Sequence, residues 1–437
     1  MLSRQVADKL AKYETPFYLY DIELLNQTLE SLMSIANKYS YKIHYAIKAN
    51  YDARLLQIIR KYGVGIDCAS GNEVRCAIEA GFDPKSIVYA GVGKRDKEIR
   101  YAIEQNILAI NCESIEEIDL VNELAAEAGK VVNIALRVNP DIDPKTNHCI
   151  DTGQADSKFG ISYEEILSSV EHIRSLKNVL VIGMHIHIGS QIRELHVFEN
   201  MCNKVNVIVE NLTNLGFELE FVDVGGGLGV NYDMPENEPI PNFASVFAII
   251  KQHLKVGNRE VHFEFGRSIV GECGELITSV LFNKTTATGR RLLIVDASMT
   301  ELIRPALYQA KHKIVNLTSH SELHEKYDVV GPICESSDVF DKDILNDKLE
   351  KYVDSNAEII YFNTIRVDSN TLIPLKDEYI YNKRDLDISA LMFINVIKDL
   401  TTSCGKEINE VLPKLFTKTG VTRLKNRWLF ENHHDNL

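Results

Sequence analysis

Eight short runs of β-branched and aromatic residues, separated by amphipathic stretches, constrain this chain more than any other feature. They are KIHYAI (42–47), VGIDCA (64–69), SIVYAG (86–91), LAINCES (108–114), NIALRVN (133–139), VLVIGMHIHIG (179–189), EFVDVGGG (220–227) and VHFEFG (261–266). Between them lie segments such as LLQIIRKY, NEVRCAIEAG and SIEEIDLVNELAAEAG. Their apolar residues recur three and four apart, the spacing of a helix that buries one face. Strand–helix alternation implies a parallel sheet, because a parallel neighbour is reached only through a crossover connection. Eight units over residues 42–270 predict an α/β fold, a closed (β/α)8 TIM barrel. An open doubly wound sheet is the alternative with the same local pattern. The later intervals are longer, which predicts insertions or extra helices there.

After about residue 275 the texture changes. GELITSVLFNKTTATGRRLLIVDAS, YDVVGPICESSDVF and AEIIYFNTIRVDS read as strands without regular helices between them, which predicts a second, mainly β domain. TPFYLYD near the N-terminus reads as an extended segment that pairs with it. The expected division is a barrel over 22–275, a β domain from 1–21 plus 276–400, and a C-terminal tail over 401–437. Charge narrows the partners: 48 Lys+Arg against 62 Asp+Glu leave a formal net charge of −14, which repels phosphate polymers and argues against nucleic acid. No apolar run approaches the roughly 18 residues of a membrane span, and the opening MLSRQVADKLAKYETPFYLY has no apolar signal core. A cytoplasmic protein is expected, with no membrane partner. None of the 8 cysteines forms a C-x-x-C pair, so no metal site is expected from spacing.

In such a barrel the reactive groups stand at the C-terminal ends of the strands. Lys48 ends the first run, in HYAIKAN. His185 and His187 end the sixth, followed by Gly189-Ser190-Gln191. Gly225, Gly226 and Gly227 end the seventh, and Glu264 and Arg267 the eighth, in FEFGR. Each has an ordinary reading. A lysine is usually a solvated charge, as Lys42 at the opposite end of the strand is expected to be. A histidine is usually a packed ring, and GGGLG alone is a tight turn. Their convergence at one mouth lifts them above that. Lys48 among apolar neighbours is expected to have a lowered pKa and a nucleophilic amine. The H-x-H alternation is expected to put both imidazoles on one strand face. Loops after strands seven and eight are where barrels often bind phosphate. Lysine, phosphate cradle and acid together suggest pyridoxal 5′-phosphate: its aldehyde for Lys48, its phosphate for the glycines, its pyridine nitrogen for Glu264.

These residues sit in longer motifs: YAIKAN around Lys48, SGNE (70–73), SKFGI (157–161), HIHIGSQ (185–191), VDVGGGLG (222–229), EFGR (264–267), MTELIRPALY (299–308) and GPICESSDVF (331–340). The ordered set, covering roughly residues 15–340, resembles the fold-type III pyridoxal-phosphate decarboxylases, which have an alanine racemase-like barrel. The resemblance implies that Lys48 bonds to the cofactor, His187 stacks on its ring, Ser190 and Gly225–Gly227 hold its phosphate, and Glu264 pairs with its nitrogen. It implies that Arg267, beside the cofactor, binds substrate together with Arg304 and Tyr308. Cys334 is the implied acid and Glu335 the implied partner of a distal amine, both donated by the second subunit of a homodimer with a shared active site.

The implied reaction is decarboxylation of meso-2,6-diaminopimelate, a small amino-acid substrate, to L-lysine and CO2. Arg304 favours that substrate, because a guanidinium offers bidentate contacts to a distal carboxylate, which ornithine and arginine lack. Carboxynorspermidine, ornithine or arginine decarboxylation is the enzymatic alternative, and a non-catalytic cofactor-binding homologue is the other. The latter is motivated by residues 341–437, which lack the family's later G-D and G-A-Y-G segment. Tyr361, Tyr379 and Tyr381 are the candidates to replace its tyrosine.

Overall fold

A computed structural model describes residues 12–140, 157–317 and 326–342, with Leu10, Ile142 and the backbone of 358–362. The expectations for the 401–437 tail, for Tyr379 and Tyr381, and for the side chain of Tyr361 lie outside the described residues.

The first nine strands are β1 (Phe17–Tyr20), β2 (Lys42–Ala46), β3 (Gly65–Cys68), β4 (Ile87–Tyr89), β5 (Ala109–Cys112), β6 (Val132–Arg137), β7 (Val179–His185), β8 (Phe221–Asp223) and β9 (Glu260–Phe265). Strands β2 to β9 close into a barrel, and every neighbouring pair is parallel. The seam is β9 against β2, in register from Lys42 with His262 to Tyr45 with Phe265. All eight runs read from the sequence become its strands, and closure excludes the open sheet. The longer late intervals hold the helices Tyr163–Ser175 and Leu195–Asn214.

Several barrel helices start by one local device. Ser70, Ser114 and Ser162 each accept from the backbone N–H three residues on, at 3.3, 3.1 and 3.2 Å. At the first two, Glu73 and Glu117 reach back to Ala69 N and Glu113 N at 2.6 and 2.8 Å. This reciprocal capping satisfies N–H groups that the first turn leaves without partners. It also fixes the direction in which the chain leaves each strand, and the strand ends are where the functional groups stand.

The remaining strands are β10 (Gly274–Thr285), β11 (Arg291–Val295), β12 (Ile314–Asn316), β13 (Asp328–Val330), β14 (Val339–Asp341) and β15 (Glu358–Phe362). They form a sheet in the order β12-β15-β10-β11-β13-β14, with β1 joined to β10. The pairing of Phe17 with Ile277 through Tyr20 with Gly274 places TPFYLYD where the sequence reading put it. Leu276, Leu293, Val295, Val329 and Phe340 form this sheet's own apolar core. No described helix is long and apolar enough to cross a membrane.

At the N-terminal end of the barrel the interior is filled by Ala109, Ala135, Ile182 and Phe221. The Phe221 ring lies where a side chain at position 183 would be: a Cβ on Gly183 would meet its Cζ at 2.3 Å. Gly183→Ala is therefore expected to destabilise the protein by about 1–3 kcal/mol through overpacking, read as a lower midpoint in urea denaturation.

Candidate active site

Lys48 leaves β2 in a single 3-10 turn, Ile47–Ala49. Its Nζ stands 3.7 Å from Asp67 Oδ2 at the end of β3, in the open mouth of the barrel; the lysine side chain is 55% exposed and Asp67 is buried. The expected apolar setting is therefore wrong, and so is the expected pKa. Burial acts to lower the Lys48 pKa, but the carboxylates of Asp67 and Glu264 outweigh it and the net shift is upward. Asp67 is itself pushed up to about 7 by burial and by Glu264, with Lys48 opposing.

Glu264, near the end of β9, is buried, and its Oε2 lies 3.2 Å from His185 Nε2. Burial pushes its pKa up. The charge and hydrogen bond of His185, then His187 and Lys48, outweigh that, so the net shift is downward and Glu264 is a carboxylate. Its other oxygen, Oε1, is buried without a hydrogen-bond partner. Strand β7 ends at His185, and His187 lies just beyond it. Both act on Glu264. His187 is lowered to about 3, by burial first and then by Lys48. Its Nδ1 accepts the Gly226 N–H at 3.3 Å, so that nitrogen carries no proton.

The glycines bring backbone where no side chain fits. Gly225 and Gly227 have φ of +69° and +102°, and a Cβ on Gly226 would lie 1.8 Å from the Glu264 carbonyl oxygen. Two of their N–H groups are already engaged: Gly225 donates to Asp223 Oδ1 at 2.9 Å and Gly226 to His187. Beside them Arg267 Nε and Nη2 donate to Ser190 Oγ at 3.2 and 3.1 Å, while Nη1 donates to the Tyr232 hydroxyl at 2.7 Å. The Arg304 guanidinium lies 4.4 Å from the Tyr232 ring centroid, and its Nη1 is 2.9 Å from His312 Nε2. Burial and the nearby Arg267 both lower the Arg304 pKa. Two guanidiniums gathered on one tyrosine form a site for anions. Tyr308 closes the same short helix, Arg304–Tyr308, and acts electrostatically on Arg304.

Lys48, His187, Glu264, the glycines, Ser190, Arg267 and Arg304 thus form one contiguous set. Cys334 and Glu335 stand elsewhere, exposed on the turn between β13 and β14. Asp338 holds that turn, accepting from Ile333 N at 2.9 Å and Met299 N at 2.6 Å. Asp67, Asp223, Tyr232 and His312 were missed by sequence reasoning. Asp67 was findable, since GIDC ends at a barrel mouth by the same rule that singled out Lys48. Tyr232 and His312 lie in loops and carry no such signal.

The residues fit pyridoxal phosphate. Glu264 Oε1 is a buried anionic acceptor lacking a donor, which a protonated pyridine nitrogen supplies. The glycine backbone leaves room that any side chain would fill, and an amine stands at the same mouth.

Comparison with known proteins agrees with this chemistry. The family model described as pyridoxal-dependent decarboxylase, pyridoxal binding domain, matches residues 24–271. Diaminopimelate decarboxylase of Bacteroides thetaiotaomicron is 47% identical over 346 residues, 79% of this chain and 89% of that protein. The Aquifex aeolicus enzyme of the same name is 39% identical over 326 residues, 75% of this chain and 76% of that protein. A crystal structure of Helicobacter pylori diaminopimelate decarboxylase complexed with L-lysine superposes with a TM-score of 0.74 at 38% identity, covering 82% of this chain and 88% of that one. Barrel, mouth residues and relatives agree, and the chain belongs to the diaminopimelate decarboxylases of the pyridoxal-dependent decarboxylase family.

Proposed function

We propose that this protein decarboxylates meso-2,6-diaminopimelate to L-lysine and CO2, as a homodimer in the cytoplasm. One observation carries the substrate choice: Arg267 and Arg304 meet on Tyr232 beside the Lys48 mouth. A substrate with carboxylates at both ends needs a cationic partner besides the reacting centre, and a diamine-forming substrate such as ornithine does not.

When bound, pyridoxal phosphate supplies an electron sink for the pair left on carbon as CO2 departs. The chain's own groups do the rest. Lys48 Nζ is the attachment point, and Asp67 Oδ2 at 3.7 Å is the group placed to take its proton. Glu264, kept ionised by His185 and Lys48, would hold a proton on the pyridine nitrogen through Oε1. His187, uncharged at neutral pH, would pack against the cofactor ring without adding a competing positive charge. Ser190, Arg267 and the Gly225–Gly227 backbone would hold the phosphate, the glycines mainly by close approach because two of their N–H groups are engaged internally.

Arg267, Arg304 and Tyr308 bind the substrate's charged ends. Cys334 delivers a proton to the carbon that lost CO2, and Glu335 takes the distal amine. Both stand exposed on a pinned turn, which suits donation to a second copy's barrel. Free thiols at Cys68, Cys76, Cys112, Cys202, Cys273 and Cys334 suit a reducing compartment.

Protein loaded with pyridoxal phosphate is expected to release CO2 and lysine from meso-diaminopimelate and little CO2 from ornithine or arginine. Lys48→Ala is expected to lose both this activity and the cofactor's protein-bound visible band; an unchanged band rejects the assignment. Mixing inactive Lys48→Ala and Cys334→Ala subunits is expected to restore about a quarter of wild-type activity, since half the dimers are mixed and each has one intact site. No recovery rejects the shared site. His187 has a folded pKa below its unfolded value, so its contribution is full above about pH 6.5 and is lost as pH falls toward 3. In cofactor-free protein, His187→Gln is expected to flatten the stability–pH slope between pH 6 and 4 by up to about 1.4 kcal/mol per pH unit, measured by urea titration.

A further inference from the structure

Below the mouth, at the barrel seam, a second polar cluster plays no part in the chemistry above. His44 on β2 and His262 on β9 are buried, and His44 Nε2 faces His262 Nδ1 at 3.1 Å. Their outer nitrogens meet acceptors. His44 Nδ1 is 3.2 Å from the Ser86 carbonyl oxygen, and His262 Nε2 is 3.2 Å from the Glu260 carboxylate. Two neutral rings carry two protons, and both outer contacts need one. That leaves the two inner nitrogens as bare lone pairs pointed at each other, a repulsive arrangement unless a cation lies between them. Asp223 on β8 brings a ligand atom within 4.8 Å of both. Its Oδ2 is fully buried without a partner.

We propose that His44, Asp223 and His262 form a buried site for a divalent transition metal, zinc being the natural occupant. Two imidazoles and a carboxylate are a ligand set that zinc accepts. The outer contacts are those that orient metal-bound histidines: one ring backed by a carboxylate, the other by a backbone carbonyl. Neighbouring packing sets both rings. A Cβ on Gly65 would lie 2.7 Å from His44 Nδ1, so glycine there makes room for the ring. Phe221 stacks on His262 with centroids 4.5 Å apart and planes 5° apart. Access is present, because a cavity of about 830 Å³ at the N-terminal end of the barrel is lined by His44, His262, Ser86 and Glu260. The metal would tie β2, β8 and β9 together where the barrel closes. The ligands come from three strands far apart in the chain, so no spacing motif announces them.

The test is retention of zinc by the full-length, cofactor-loaded protein. The protein is incubated with Zn2+, desalted and analysed for metal, and the affinity is measured by competition with a chelating dye. About one Zn2+ per chain is expected in the wild type beyond that retained by His262→Gln. Glu260 is 55% exposed, so Glu260→Gln is expected to fold normally, and loss of its backing contact is expected to weaken affinity about 10- to 100-fold. Co2+ in place of Zn2+ is expected to give a visible ligand-field spectrum in the wild type that His262→Gln lacks. The proposal is overturned if the wild type retains no more zinc than His262→Gln, in which case the two rings share a proton instead. It is also overturned if Glu260→Gln binds zinc as tightly as the wild type.

Discussion

The ionised carboxylate of Glu264 is the interaction on which the site depends. A buried carboxylate without compensation takes up a proton. Here His185 supplies a hydrogen bond at 3.2 Å, and His187 and Lys48 add to the field. These partners stand at or just beyond the ends of β7 and β2, while Glu264 itself is on β9. Buried in this way, the ion therefore has its compensating partners only when the barrel closes and its first and last strands meet.

The same logic divides the barrel interior into levels. Apolar packing by Ala109, Ala135, Ile182 and Phe221 fills the N-terminal end. His44 and His262 form a polar layer beside it, and the charged groups Asp67, Glu264 and Lys48 face the mouth. Asp223 stands between the histidine layer and the mouth, its ligand atoms near His44 and His262 on one side and near His185 and Glu264 on the other. Successive levels stand two residues apart along a strand, as His262 and Glu264 do on β9, because alternate residues share the inward face.

The fold was legible because it rests on local periodicity. Each of the eight apolar runs became a barrel strand, and the change of texture near 275 marked the start of β10 at Gly274. The mouth residues were legible for the same reason: a rule that reads function from strand ends finds Lys48, His187, Glu264 and the glycines. Charge balance was not legible. The Lys48 pKa moves the opposite way from expectation because Asp67, nineteen positions on in the chain, lies 3.7 Å away in space. Tyr232, which gathers Arg267 and Arg304, was equally hidden, since a loop tyrosine has no period and its role follows from tertiary placement alone. Nor did the sequence reveal that two glycine N–H groups are spent on Asp223 and His187.

The junction between barrel and sheet has a further consequence. Asp21 N donates to the Cys273 carbonyl oxygen at 2.8 Å, and the Asp21 side chain caps the helix Ile22–Tyr39 by accepting from Leu24 N at 2.9 Å. The two points at which the chain enters and leaves the barrel are thus adjacent. Topologically the barrel is a closed excursion from the sheet, tied off at its neck, and such a segment has the form that lets a domain be inserted into another without disturbing either core.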